Sequence, residues 1–320
     1  MQALFIRIRS MPKIMRRFIL FICGLMAFFG FLVCARQCTT ADEFAKWFIF
    51  WMILALALGT AVFAGYGLLS VALSRRAEQD LALEYQKSGW STALADSAKK
   101  AFFFCTPHER VLMLFLRVMA EDYEGAGIAE LSIPQDALEP RDLAAFRTCQ
   151  LRRLLMTGQS RKAHSAFAAH AQMQDDAYQF QPCFEAAFKP LAEDALVYYE
   201  MAAAVCEREG NHGRAEQYAV LAGLRISGYP EVQRAYLTEQ IALSRQYARA
   251  KTAADVQDAQ NTEKAVCQRI TEDKALGSAV RQSLLRAFSQ CRIFGSWTQE
   301  TVKASRFERK LPPAEPDSAG

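Results

Sequence analysis

The sequence has little of what metal, nucleotide or acyl-transfer chemistry requires. Only four histidines occur among 320 residues, and no two cysteines are spaced Cys-x-x-Cys, so the usual zinc arrangements are missing. Glycine-rich loops for phosphates or dinucleotides are also missing, as is the Gly-x-Ser-x-Gly of serine hydrolases. A site assembled from distant residues is not excluded. The absences favour a non-enzymatic protein without metal or cofactor.

Charge is absent from two long apolar runs, residues 18–35 and 47–73. An α-helix rises about 1.5 Å per residue, so roughly 20 residues cross the ~30 Å hydrocarbon core of a bilayer. The sequence therefore predicts two transmembrane helices, 18–35 and 47–73, which together with the loop between them span residues 18–73. For the first run a cleavable signal peptide is the alternative, but Phe31, Leu32 and Val33 make a poor cleavage site.

Basic residues flank the two runs on one side. Residues 1–17 contain five basic residues and no acidic one, and Arg75 and Arg76 follow the second run, whereas the 36–46 loop is balanced. Lys and Arg are retained on the cytoplasmic side of a membrane. We therefore expect a multi-pass protein of the bacterial inner membrane with both termini in the cytoplasm. Trp47 and Trp51 are expected at the outer interface.

The rest of the chain has no excess of positive charge. Residues 47–320 contain 31 basic and 32 acidic residues, which is unsuited to nucleic-acid binding. The nine cysteines are scattered, as is typical of a reducing compartment. Cys34 and Cys38 lie one turn apart in the expected outer region, where a disulfide bridge between them stays open as an alternative.

Helix-forming residues dominate after the second run, and strand patterns are nearly absent. Helix breakers are expected at Gly89, residues 125–127, Pro134, Pro140, Gly158, Gly210, Gly228 and Pro230. The single plausible extended segment is 128–134. The pattern predicts an all-α protein in which antiparallel helix hairpins follow the transmembrane pair.

Residues 199–222 show the clearest hairpin pattern. A glycine separates two helices that carry small residues at the positions where they would meet: Ala202, Ala203, Gly210, Ala215, Ala219 and Ala222. This spacing resembles the tetratricopeptide repeat (TPR), a 34-residue helix-turn-helix unit. A weaker copy has Gly158 and Ala163 at matching offsets, and a third candidate surrounds Gly89. The spacing of the three glycines is irregular, so the resemblance implies an irregular helical solenoid.

The predicted organisation has five parts. A basic segment (1–17) precedes the membrane pair (18–73), and a TPR-like domain follows (77–228). Long helices over 229–295 cap that domain, with 231–294 open as one helix or several. A tail follows (296–320), whose residues 311–320 are Pro-rich and polar, and we expect disorder from about residue 311.

The segment Gly-Asn-His-Gly at 210–213 invites a phosphate-loop or metal interpretation. It follows a helix instead of a strand and has no lysine in place, so we interpret Gly210 as the residue that ends a helix with positive φ. His212 is expected to be dispensable. The acidic pair Asp175 and Asp176 is expected to be solvated.

Small residues also recur every four positions in the second apolar run, at Ala57, Ala61 and Gly65. Such stripes let membrane helices approach closely. We expect this stripe to face Gly24, Ala27 and Gly30 of the first run in an intramolecular hairpin.

The expected function is binding. Stacked helical hairpins expose a concave groove for a peptide or helix, so the sequence favours a membrane-anchored scaffold for an unidentified protein partner, in contact with the lipid bilayer. The alternative is a small subunit of a transport, secretion or envelope-assembly complex whose contacts lie in the hairpin. The layout is also similar to inner-membrane repeat proteins associated with porphyrin synthesis. The oligomeric state is left open.

Overall fold

The computed structural model describes residues 13–101, 105–179, 182–184 and 193–295. Within these ranges the chain forms twelve α-helices, one short 3-10 helix and no β-strand, which confirms the predicted all-α class. The segment before Lys13 and the tail from residue 296 lie outside the described residues. The chain divides into two compact units, 1–80 with 97–110 and 81–96 with 111–320.

The helices are numbered in chain order. Their bounds are α1 Lys13–Gln37, α2 Ala41–Ser88, α3 Thr92–Ala101, α4 Pro107–Met119, α5 Tyr123–Leu131, α6 Pro140–Met156, α7 Ser160–Tyr178, α8 Asp194–Arg208, α9 His212–Ile226, α10 Glu231–Arg249, α11 Ala253–Glu272 and α12 Ser278–Gln290.

Two apolar stretches dominate the first unit. The helical segments Arg16–Gln37 and Ala41–Tyr85 are long and apolar enough to cross a membrane, by length and composition. Only 17% and 11% of their most apolar windows are buried, whereas the core helix of a soluble protein buries most of such a window. Helix α2 continues through Arg75 and Arg76 to Ser88 because the residues after the apolar run are also good helix formers.

Helices α1 and α2 meet through a different set of small residues from the expected stripe. A Cβ added at Gly30 would lie 2.6 Å from Cγ of Trp51, and one added at Gly59 would lie 2.9 Å from Sγ of Cys23. Ala57, Ala61 and Gly65 are exposed, and a Cβ at Gly65 would meet nothing within 4 Å. The contact therefore lies on the opposite face of α2, two residues (about 200° around the helix) out of phase with the stripe.

This packing predicts opposite outcomes for two glycine substitutions. In a Gly59→Cys variant the new Cβ lies where a disulfide to Cys23 can form, and mild oxidation should bridge most molecules. Adding Gly30→Leu should reduce the bridged fraction several-fold, because the larger side chain overpacks against Trp51. Adding Gly65→Leu should leave it unchanged. Non-reducing gel shift after thiol labelling measures the fraction, and equal losses in both variants would contradict the assignment.

In the second unit, two hairpins end their first helices in the same way. At Gly158 φ is 73° and at Gly210 it is 77°. In both hairpins the glycine N–H donates a hydrogen bond of 3.1 Å to the carbonyl three residues earlier. The N–H of the following residue donates one of 2.9 Å to the carbonyl five residues before it. This is the Schellman arrangement, which favours glycine because it needs positive φ. Ala163 and Ala215, five residues after each glycine, are completely buried.

Helix α8 forms the centre of this unit. Every residue from Asp194 to Glu207 is buried, and the helix packs against α6, α9 and α10. Its buried carboxylates are each satisfied by another segment: Asp194 accepts bonds from the backbone N–H groups of Cys183 (3.2 Å) and Phe184 (3.1 Å). Glu200 accepts bonds from Ser244 (2.7 Å) and Gln240 (3.0 Å).

Two segments differ from the local sequence pattern. Residues 125–127 were expected to break a helix and 128–134 to be extended, yet most of this stretch is α5. Asp122 caps α5 by accepting a hydrogen bond from the Gly125 N–H at 2.9 Å, and such a cap offsets the poor helix propensity of the two glycines.

Residues 231–294, which the sequence left open as one helix or several, form the three helices α10, α11 and α12. All nine cysteines are unbridged, including Cys34 and Cys38.

Candidate functional site

A depression in the surface of the second unit lies where α7, α8 and α9 converge. This depression, called the outer groove below, has a volume of about 430 Å³. Helix α7 contributes its last turn and α9 contributes the side chains of one face, with Tyr199 of α8 between them. The lining residues are Asp175, Tyr178, Gln179, Tyr199, Arg214, Gln217, Tyr218, Leu221, Leu224 and Arg225.

Asp175 organises the polar side of the outer groove. One carboxylate oxygen accepts a hydrogen bond from the Tyr198 hydroxyl at 2.8 Å. The other accepts from the Tyr218 hydroxyl at 2.9 Å and from the Arg214 guanidinium at 3.3 Å. Three donors from α8 and α9 thus converge on one carboxylate of α7. The expectation that Asp175 is solvated fails, because only 24% of its side chain is exposed.

Aromatic rings form the floor of the groove. The rings of Tyr178, Tyr198, Tyr199 and Tyr218 lie with their centroids 5.4 to 6.2 Å apart, in tilted or edge-on contacts that suit aromatic side chains. Arg214 lies over the Tyr218 ring at 5.5 Å. Burial raises the pKa of Tyr218 to about 12 and that of Tyr198 much further. Both hydroxyls are therefore neutral hydrogen-bond donors at physiological pH.

The C-terminus of α7 is closed by side chains from the neighbouring helices. The Tyr178 carbonyl, which has no partner inside its own helix, accepts a hydrogen bond from Arg225 at 2.9 Å. Arg225 also lies 3.6 Å from the buried carboxylate of Glu193. This fixes the end of α7 against α9, so the walls of the groove are held by polar contacts that are separate from its aromatic floor.

Exposed aliphatic side chains of α9 border the groove. Leu221 lies in its lining with 38% of its surface exposed, Leu224 is 66% exposed, and Val220 beside them is 57% exposed. Tyrosine and arginine are enriched in protein-binding hot spots, and here they lie beside exposed aliphatic side chains on a concave surface. The titratable groups that line the floor are committed to one another. The arrangement therefore favours binding over proton or group transfer.

One side of α8 faces a small cavity between helices. The cavity has a volume of about 30 Å³. Its walls include Leu196 and Glu200 of α8, Leu237 and Ile241 of α10, and Leu284 and Ala287 of α12. This side of α8 is therefore lined by other helices of the same unit.

The residues singled out from the hairpin pattern support the groove without lining it. Ala202, Ala203, Ala215 and Ala222 are completely buried, and Ala219 is half-buried. Sequence reasoning missed the contribution of the four tyrosines and the role of Glu207. Tyr198 and Tyr199 within a run of small apolar residues are the sequence pattern that could have indicated the floor.

Glu207 ends α8 in a buried cluster of charge. Its carboxylate receives hydrogen bonds from Arg245 (2.6 Å), Arg249 (2.5 Å) and His212 (2.6 Å), and its side chain has no exposed surface. Burial alone would raise the pKa of Glu207, but the bonds from Arg249, His212 and Arg245 outweigh it and lower the pKa to about 2. His212 is thus an exposed hydrogen-bond partner of a buried carboxylate.

Comparisons with protein-family models, with curated proteins and with solved structures return no match for this chain.

Proposed function

We propose that this protein is a membrane-anchored helical scaffold that binds a protein partner through the outer groove. Helices α1 and α2 hold the chain in the cytoplasmic membrane, and the TPR-like hairpins of the second unit face the cytoplasm. The observation that carries the proposal is the rim formed by Leu221 and Leu224 beside the tyrosine floor, an exposed apolar and arginine-bearing surface on a rigid base.

The membrane part of the proposal rests on exposure and charge. The apolar side chains of α1 and α2 are mostly exposed, Leu56 by 72% and Phe21 by 64%, and exposed apolar helices of this length are stable in lipid. The basic residues at the N-terminal side of α1 and after the apolar run of α2 favour cytoplasmic ends. Retention of α1 in the mature protein is part of the proposal.

Site-specific photocrosslinking of the full chain in its native membrane tests where the partner lies. A benzophenone amino acid at Leu224 should capture one defined protein with a cytoplasmic domain. The same probe at Ile128 of α5, which is equally exposed at 66%, should capture little. The additional change Leu221→Asp should reduce capture from position 224 about tenfold or more, because a charge at a desolvated anchor position is costly.

A probe at Leu56 of α2 distinguishes the alternative small-subunit role. If position 56 captures the defined partner and position 224 does not, the contacts lie in the membrane hairpin and the groove proposal is wrong. Equal capture at positions 224 and 128 would mean that crosslinking is non-specific, and would also contradict the groove proposal.

A further inference from the structure

The first unit carries exposed basic side chains directly after the apolar run of α2 and on either side of the connection between α3 and α4. Arg75 and Arg76 follow Leu73 and Ser74 on α2, Lys99 and Lys100 lie in the last turn of α3, and Arg110 lies in the first turn of α4. All five are exposed and all belong to the first unit. They are called the basic collar below.

A buried hydrogen bond ties two parts of the basic collar together. The Ser74 hydroxyl donates to the carboxylate of Glu109, so the last turn of the apolar run touches the start of α4. Arg75 and Arg110 are the next residues along each helix. The Ser74–Glu109 hydrogen bond therefore keeps Arg75 and Arg110 in the same region of the first unit.

The carboxylate that makes this contact faces inward. Glu109 is 1% exposed, and it also accepts hydrogen bonds from the Thr106 N–H at 2.8 Å and the Thr106 hydroxyl at 3.1 Å. Asp80, about one turn beyond Arg76, is an exposed acidic residue of the same unit. Among the described side chains of this region, exposed basic groups therefore outnumber exposed acidic ones.

The position of the basic collar follows from the proposed membrane anchoring, on which this inference rests. Leu68, Leu69 and Leu73 remain 64%, 61% and 50% exposed up to the residue before Ser74, as expected of side chains in contact with lipid. The boundary between hydrocarbon and water then lies near Ser74, which places Arg75, Arg76 and, through the Ser74–Glu109 contact, Arg110 at headgroup level. Lys99 and Lys100 of the same unit are expected at that level as well. An apolar surface that continues directly into a basic one matches the chemistry of an anionic membrane surface.

We propose that the basic collar binds the headgroups of anionic phospholipids. Each Lys or Arg near a negatively charged membrane strengthens association by about fivefold, so a pair contributes on the order of 25-fold. The attraction is screened within a Debye length of about 8 Å at physiological salt, which makes the contact dependent on ionic strength.

The test places the full-length protein in nanodiscs of phosphatidylcholine alone or of phosphatidylcholine and phosphatidylglycerol at 7:3, and measures amide hydrogen exchange. Peptides covering residues 97–101 and 106–110 should exchange at least about threefold more slowly in the anionic discs, and 0.5 M salt should remove the difference. Lys99→Gln with Lys100→Gln should abolish most of it. Arg161→Gln with Lys162→Gln, an exposed basic pair on α7, serves as the matched control and should change nothing.

The outcomes separate this inference from the function on which it depends. A protein that fails to enter either disc contradicts the membrane anchor itself. Normal incorporation with equal exchange in the two lipid mixtures overturns the lipid inference alone. Protection that appears in neither disc but on addition of polyglutamate would assign the basic collar to an acidic protein instead, and would also overturn it.

Discussion

Glu207→Gln is expected to lower the free energy of unfolding by about 3 kcal/mol at neutral pH. Removing the charge from one side of a buried ionic cluster leaves the other side uncompensated, which costs about 3–5 kcal/mol. The Arg245 side chain, only 14% exposed, loses its charged partner, and the amide NH₂ group of the new glutamine replaces the oxygen that accepts from Arg249 Nε, a donor against a donor. Chemical unfolding of the full chain in mild detergent measures the loss.

The role of Glu207 can also be tested by measuring how the free energy of unfolding depends on pH. The pKa of Glu207 is lowered from its ordinary 4.5 to about 2 in the folded protein. A lowered pKa means that the stabilisation is fully present above about pH 4.5 and is lost as the pH falls toward 2. The Glu207→Gln variant should lack this part of the acid destabilisation, so the stability difference between the two proteins should narrow over that range.

Two neighbouring variants serve as controls. Glu216 accepts one hydrogen bond from Arg245 at 2.7 Å, but 64% of its side chain is exposed, and Glu216→Gln should cost below about 1 kcal/mol. His212→Ala should also cost below about 1 kcal/mol, because 65% of the histidine side chain is exposed and both arginines stay in place. If either control lowers the free energy of unfolding as much as Glu207→Gln does, the buried charge of Glu207 is not what stabilises this cluster.

Ala215→Glu is expected to destabilise the second unit by several kcal/mol. Ala215 is completely buried in α9 where that helix packs on α8, so a glutamate there must either bury an unpaired charge or separate the helices. The expected result is loss of cooperative unfolding or a large fall in the midpoint. Gln217→Glu, on the exposed side of the same helix, is the matched control and should change stability little.

The same substitution in the preceding hairpin examines whether the two hairpins are equivalent. Ala163 is also completely buried five residues after a glycine of positive φ, so Ala163→Glu should be as damaging as Ala215→Glu. A tolerated Ala163→Glu would mean that the shared turn does not impose shared packing.

Features that depend on neighbouring residues in the chain could be predicted from the sequence. The turns at Gly158 and Gly210 depend on positive φ, which glycine adopts without steric cost, and the all-α class follows from composition and the lack of strand patterns. The apolar runs of α1 and α2 are likewise local. The positions of Ala163 and Ala215 follow from the turn because each is little more than one helical turn further on.

Features that depend on distant partners could not be predicted. Glu207 meets Arg245 and Arg249 across 38 and 42 residues, and no local pattern identifies such partners. Asp175 looked like a solvated turn carboxylate because its three donors come from other helices. The stripe of Ala57, Ala61 and Gly65 is exposed for a related reason: α2 carries small residues on two opposite faces, and Trp51, which lies against Gly30, is on the other one.

The register of the hairpins also shifts after the first buried alanine. In α9 the buried residues continue at Tyr218 and Ala222, whereas in α7 they continue one position later, at Phe167 and Ala171. This shift of one residue explains why the repeat pattern is recognisable at the turn and becomes weaker toward the helix ends.

The complete enclosure of α8 has a consequence for how the molecule can change under mutation. A helix with solvent on one side can lose or gain polar residues there without penalty, but α8 offers no such side between Asp194 and Glu207. Substitutions can therefore accumulate on α9, whose outer residues are exposed, while the residues of α8 are constrained by contacts on every side. The surface of the hairpins can change in sequence without disturbing their centre.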